Sequence, residues 1–199
     1  MKKDQIKKLV SFFYEVGNLR KILRMHQQTL LTFDPTDNIA SHTLRTAFIG
    51  YFLAKQLKVD ADKVLKMCLL HDIEEVRCGD QNWIHRKYVR VFEEEIRDGQ
   101  LKKLSGAGEL LKLSKEYQKR KTLESKIAKD ADLLDEIFLL REFAHQGNKE
   151  AARWLKIDND EKSAQEKKMT TKLAKEIAIE AKKLEPNIWW NNLWTSERR

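Results

Sequence analysis

Two prolines and seven glycines in 199 residues leave little material for the many turns that an all-β sandwich needs. Cysteine is nearly absent. Cys68 and Cys78 are too few for a disulfide framework, so a reduced, cytoplasmic protein is expected. No apolar run approaches the ~20 residues of a membrane span, and the charged start Met1-Lys2-Lys3-Asp4-Gln5 is not followed by a signal-peptide core, which excludes a membrane role. What is abundant is charge of both signs, 35% of residues, beside an apolar share of 41% that supports a core and excludes a disordered polyelectrolyte. At this length one domain is expected, and helices are the default.

The net charge of +8 points to an anionic partner without naming it. Residues 101–129 carry nine Lys or Arg against three Glu, yet leucines alternate with those lysines at helical spacing. A solvated helix face explains the stretch, with a phosphate-attracting rim as the alternative.

Periodicity organises the chain. Ile6, Leu9, Val10, Phe13, Val16, Leu19, Ile22 and Leu23 repeat at 3.6 residues and predict a half-buried helix over 4–23. Residues 27–38, holding Pro35, read as a loop before a helix over 39–57. Asp60 caps a third helix over 61–77 whose apolar residues wrap most of its circumference, so it is expected to be central. Gly79 stops it. A charged helix is expected over 83–97, followed by a segment punctuated by Gly99, Gly106 and Gly108. Thr122 opens a long helix over 123–145 that Gly147 ends, and a charged helix over 161–184 stops before Pro186.

Chemistry concentrates at His42, the pair His71-Asp72, and Asp132. The connection at Lys58-Val59 is short, so the second and third helices form a hairpin. From that turn His42 lies ~25 Å back and His71 ~18 Å forward at 1.5 Å per residue, which brings both imidazoles to the same end. Asp132 interrupts an otherwise apolar helix, where a carboxylate is costly unless it is paired or binds a cation. Two imidazoles and two carboxylates make a mixed N/O site for one divalent ion such as Mn, Co, Fe, Zn or Mg. No thiolate belongs to the set, which argues against a structural zinc finger. Glu75, four residues after His71 and three after Asp72, projects to their side on a continuous helix and is placed for proton transfer, whereas Glu74 points away. His26 and His145 have no such spacing, while His85, about a turn beyond Asp80 and near Trp83, reads as a surface residue with a substrate-side group as the alternative. Trp189, Trp190 and Trp194 crowd the tail and are expected to dock on the domain or on a partner subunit.

These segments resemble the HD-domain metal-dependent phosphohydrolases, and within them the 5′-deoxynucleotidase-like branch. The residues carrying the resemblance are Asp37-Asn38-Ile39-Ala40-Ser41-His42, then Leu69-Leu70-His71-Asp72-Ile73-Glu74-Glu75-Val76 with Gly79-Asp80, then Glu124-Ser125-Lys126-Ile127-Ala128-Lys129-Asp130-Ala131-Asp132. The resemblance implies an all-α HD-domain bundle over 1–199, with a core at about 15–147 and a helical extension ending in the Trp-rich tail. It implies one divalent metal held by His42, His71, Asp72 and Asp132, with Glu75 as the catalytic acid/base. Arg24 and Asp80 would contact substrate. Family members often follow that arginine shortly with Trp, absent from Arg24-Met25-His26, so Arg20 is the alternative. The implied activity is hydrolysis of (deoxy)ribonucleoside 5′-monophosphates to nucleoside and phosphate by a homodimer. Two other functions are weighed. Another HD-type hydrolase, of cyclic nucleotides, nucleoside triphosphates or guanosine polyphosphates, fits less well, because alarmone hydrolases carry Glu-Asp where this chain has Glu74-Glu75. A nucleic-acid-binding module with a vestigial site lacks a helix-turn-helix or aromatic-basic signature, and carboxylates at 130, 132 and 135 would repel a phosphate backbone.

Overall fold

Short polar side chains set where the principal helices begin. Asn38, Asp60, Thr122, Asn148, Ser163 and Thr171 each accept a hydrogen bond from the backbone N–H three residues on, satisfying a donor that has no partner within the helix. The structure, a computed structural model, describes residues 2–157, 161–191 and 193. Its helices are α1 (Lys3–Gly17), α2 (His26–Leu30), α3 (Ile39–Gln56), α4 (Ala61–Leu70), α5 (Glu75–Cys78), α6 (His85–Tyr88), α7 (Glu93–Leu101), α8 (Gly108–Lys119), α9 (Leu123–His145), α10 (Lys149–Leu155), α11 (Ala164–Lys168) and α12 (Lys172–Lys183). Short 3-10 turns follow at Asn18–Lys21 and Ile188–Trp190. Among the described residues the chain is all-α: Leu23 and Asn38 form an antiparallel bridge, but no strand develops. No described helix is long and apolar enough to cross a membrane, and Cys68 and Cys78 are both free thiols.

The predicted hairpin is α3 and α4, joined through residues 57–60, where Lys58 takes a positive φ of 57°. Gly50 sets their separation. A Cβ there would lie 2.5 Å from Cys68 Sγ and 3.1 Å from a Val64 methyl, so only glycine lets the two backbones come this close. Both helices pack on α9, which is buried on all sides through Ile127, Ala131, Leu134, Ile137 and Leu140. The hub is therefore α9, and α4 is one of its flanks. Helices α10, α11 and α12 cover another side of α9.

Several expected helices are interrupted, for reasons that lie elsewhere in the chain. The 4–23 helix ends at Gly17, and Ile6, Val10, Phe13 and Tyr14 on α1 remain exposed. The 61–77 helix breaks over 71–74 and the 83–97 helix divides into α6 and the start of α7. Within the expected 27–38 loop lies most of α2, and α10 was not anticipated. The 161–184 helix parts between Lys168 and Lys172 because the buried Asp130 carboxylate accepts the N–H groups of Thr170 (2.8 Å) and Thr171 (2.7 Å) and the Thr171 hydroxyl (2.7 Å). Trp189 and Trp190 meet edge to face at 4.8 Å and stay exposed, so they do not dock on the described residues. Trp194 lies outside the described residues.

Replacing Asp130 by Ala leaves those donors unmet and costs about 3 kcal/mol, since hydrogen bonds to a charged acceptor are the strong ones. For a chain of this size that lowers Tm by about 6–12 °C. Differential scanning calorimetry checks it, and a shift below about 2 °C would remove Asp130 from this role.

Candidate metal centre

His42 sits in the first turn of α3, its own N–H donating to Asn38 O, and it is held beside His71 where α4 ends. The two rings meet edge to face at 4.9 Å, with their Nε2 atoms 2.9 Å apart. His71 Nδ1 donates to the Cys68 carbonyl at 2.6 Å, which can only accept, and His42 Nδ1 donates to the Asp135 carboxylate at 2.5 Å. Each Nε2 of a neutral ring is thus a lone pair. Two carboxylates close on the same point. Asp72 Oδ2 lies 3.0 Å from His71 Nε2 and 3.4 Å from His42 Nε2, while Asp132 Oδ1 lies 3.3 Å from His42 Nε2 and 3.8 Å from His71 Nε2.

Four electron-rich atoms facing one another, with no donor among them, require a cation or a proton. With a proton alone, Asp132, Asp135 and Asp72 outweigh burial and the Arg24 charge, and the His42 imidazolium is pushed up to about 10. Burial opposes charge on the acids too, yet His71 and His42 hold Asp72 well below the usual carboxylate range, and Lys129 with the histidines does the same for Asp132. Donor chemistry and spacing fit one divalent ion: the ligand atoms of His42, His71 and Asp72 lie within 4.8 Å of one another. His26 pairs instead with Asp37 at 2.8 Å, and His145 with Glu185 at 2.7 Å.

The cluster lies in a cleft of about 1010 Å³ that Arg24, Glu75 and Asp80 also line. The break over 71–74 removes the continuous helix on which Glu75 was expected to share a side with His71, but the turn still delivers Glu75 to this cleft. Glu75 is 7% exposed, its Oε2 has no hydrogen-bond partner, and burial, aided by Asp72 and Asp80, raises its carboxyl well above the usual carboxylate range. Arg24 is buried with its guanidinium 3.9 Å from Asp80 and 3.7 Å from Asp135, leaving Nη1 without a hydrogen bond. Asp80 Oδ2 accepts from the Met25 N–H at 2.6 Å. Arg20, the alternative to Arg24, is exposed and does not line the cleft. Glu74, expected to point away, also borders the cleft, but its Oε1 is held by Arg97.

Sequence reasoning missed the residues that orient the cluster. Asp135 fixes His42 and is fixed in turn by Arg45 Nε at 2.6 Å, whose Nη1 reaches Glu142 at 2.6 Å. The spacing of three from Asp132, one helical turn, was the available signal. Tyr117 places its ring edge on His71 at 5.9 Å, and Arg120 stacks over Tyr117 at 3.2 Å. Neither follows from sequence, because α8 reaches the site only through tertiary packing.

Residues 16–178 match the HD domain family. Among solved structures, a conserved hypothetical protein from Pyrococcus furiosus is 29% identical with a TM-score of 0.68, over 88% of this chain and 99% of that one. A Pyrococcus horikoshii protein is 24% identical with a TM-score of 0.67, over 88% of this chain and 99% of its own. A Magnetospirillum magnetotacticum protein described as a predicted metal-dependent phosphohydrolase is 23% identical with a TM-score of 0.65, over 89% of this chain and 90% of its own. The last two likenesses carry the fold alone. A comparison with curated proteins finds no match. With the family match spanning most of the chain and a His-Asp cluster at the heart of its helices, this protein belongs to the HD-domain superfamily of metal-dependent phosphohydrolases.

Proposed function

We propose that the chain is a 5′-nucleotidase, hydrolysing (deoxy)ribonucleoside 5′-monophosphates to nucleoside and phosphate, with His42, His71, Asp72 and Asp132 holding one divalent ion. The observation that carries this reading is the convergence of those four acceptors inside a cleft that also holds the buried Glu75 carboxyl and the buried Arg24 guanidinium. A divalent ion bound there supplies Lewis acidity and lowers the pKa of water. Arg24 Nη1, a buried donor without a partner, is suited to a phosphate oxygen and to offsetting charge that develops on it. Glu75 Oε2 holds a proton that the departing nucleoside oxygen takes up. Asp80, one oxygen tied to Met25 N–H, has its other free to accept from a sugar hydroxyl.

A second reading has its own support. The cleft also carries Arg86, Arg90, Arg120 and Lys168, more positive charge than one phosphate needs, which favours another HD-type hydrolase acting on a nucleotide with several phosphates. Packing of α10, α11 and α12 on α9 supports one domain over the whole chain, and two free thiols support a reducing, cytoplasmic setting. Leu44, Phe48 and Phe52 recur every four residues on α3 and are 59–60% exposed, which supports a second copy as partner. Sedimentation should then give twice 23.5 kDa, and Phe48→Asp with Phe52→Asp should give 23.5 kDa. A monomeric parent chain would end the dimer reading.

A phosphate-release screen across nucleoside 5′-monophosphates, with each divalent metal in turn, should yield nucleoside and free phosphate. Glu75→Gln should lower kcat by about 10²–10⁴-fold with metal still bound. Release of phosphate or pyrophosphate from more highly phosphorylated nucleotides, with no phosphate released from monophosphates, would instead select the second reading. Undiminished turnover in Glu75→Gln would take the proton-transfer role away from that residue.

Metal and protons compete for His42. In the metal-free protein its imidazole is raised from an ordinary 6.5 to about 10, so the bridging proton stabilises the fold fully below 6.5 and is lost as pH rises toward 10. Metal replaces that proton. The gap in Tm between metal-loaded and chelated protein should therefore widen steadily from about pH 6 to 9. A gap independent of pH would mean that His42 does not exchange a proton for the ion.

A further inference from the structure

The four residues between α4 and α5 face two ways. His71 and Asp72 send their side chains into the metal cluster, and Glu75 follows into the cleft, while the Ile73 carbonyl and the Glu74 carboxylate meet side chains of α7. Within the turn the backbone closes on itself through Glu75 N–H to Asp72 O at 3.1 Å, while Ile73 N–H reaches Leu70 O only at 3.4 Å. Two α7 side chains supply what it lacks. Arg97 Nη1 meets Glu74 Oε1 at 2.5 Å, the two side chains only 7% and 6% exposed, and Gln100 Nε2 donates to the Ile73 carbonyl at 3.0 Å.

A second tie grips the other side of Glu75. Arg77, on α5, forms a fork with Glu15 of α1, Nε at 2.5 Å and Nη2 at 3.0 Å, and Gln100 Nε2 also reaches Glu15 Oε1 at 2.9 Å. Gly99 leaves room for this. A Cβ there would stand 3.1 Å from Arg77 Nη1. The residues flanking Glu75 are thus each anchored to α7, one directly and one through Glu15.

A buried ion pair is a poor source of net stability, because desolvating both charges offsets most of their attraction, but it fixes one geometry. We propose that Arg97 and Gln100 are positioning residues that hold the 71–75 turn in register with His42 and Asp132, so that Asp72 can ligate and Glu75 can reach the substrate. This rests on the metal-dependent reading of the site and adds two α7 side chains, Arg97 and Gln100, which do not line the cleft, to the parts on which it depends.

Removing Arg97 alone would leave the buried Glu74 carboxyl, which burial pushes up to about 8 even against the Arg97 charge, without its partner and threaten folding, so two gentler changes carry the test. One is Gln100→Met, which keeps volume and deletes the carbonyl tie; the other is the paired Glu74→Gln with Arg97→Gln, which removes both charges together. Titration calorimetry with Mn²⁺ alone should show metal affinity reduced about 10–100-fold in the paired variant, as for other residues that orient metal ligands from outside. With substrate, kcat should fall on the order of 10²-fold in both variants while KM stays within about twofold, the mark of misplaced chemistry in an intact binding cleft. Arg97→Lys, which keeps the charge, should recover part of the loss. Affinity for Mn²⁺ unchanged in a folded paired variant would overturn the proposal. So would losses that merely follow Tm across all three variants. If the parent chain binds Mn²⁺ but hydrolyses no phosphomonoester, the nucleotidase reading fails by itself, and the calorimetric comparison still decides the role of α7.

Discussion

Like-natured atoms do not gather inside a protein unless something of opposite charge holds them. Around His42 and His71 the chain assembles two imidazole lone pairs and two carboxylates at separations of 2.9–3.8 Å, in a place mostly removed from water. Left alone, that arrangement repels itself, and burial makes the repulsion worse. The helices around it answer the problem. Gly50 lets α3 and α4 approach so that the histidines meet, α9 presents Asp132 from the third side, and Asp135 and the Cys68 carbonyl take the outward ring protons so that both lone pairs face inward.

The remaining charges are arranged by distance from that point. Arg24 is a buried cation beside these carboxylates, and four acids keep it protonated despite burial. Asp135 is shared between His42 and Arg45, and Arg45 continues to Glu142, so an ordered chain of opposite charges runs from the cluster to the surface. Glu75 carries an Oε2 without a hydrogen-bond partner, and burial, with Asp72 and Asp80 beside it, pushes its carboxyl well above the usual carboxylate range. The site therefore contains groups pushed in opposite directions: Asp72 and Asp132 toward ionisation, Glu75 toward neutrality. That division is what metal-assisted acid/base chemistry requires.

Much of this was legible because it is local. Caps at Asn38, Asp60 and Thr122 act within four residues, so the starts of α3, α4 and α9 could be read directly, and a hairpin with 1.5 Å of rise per residue was enough to bring His42 beside His71. What escaped is tertiary in cause. Nothing between 161 and 184 announces that Asp130, some forty positions earlier, will seize the backbone at Thr170 and Thr171. Nor does the run from His71 to Glu75, rich in helix formers, reveal that α7 will hold it as a turn. Asp135 reads as one more acid in a charged window until His42 is seen against it.

The central claim is that one cation sits where these four side chains meet. Crystals grown with Mn²⁺ and measured at a wavelength giving manganese anomalous signal should show a single strong peak within about 2.0–2.3 Å of the Nε2 atoms of His42 and His71, with carboxylate oxygens of Asp72 and Asp132 completing the contacts. A map with no peak there, the two imidazoles still sharing a proton at saturating Mn²⁺, would contradict the account at its foundation.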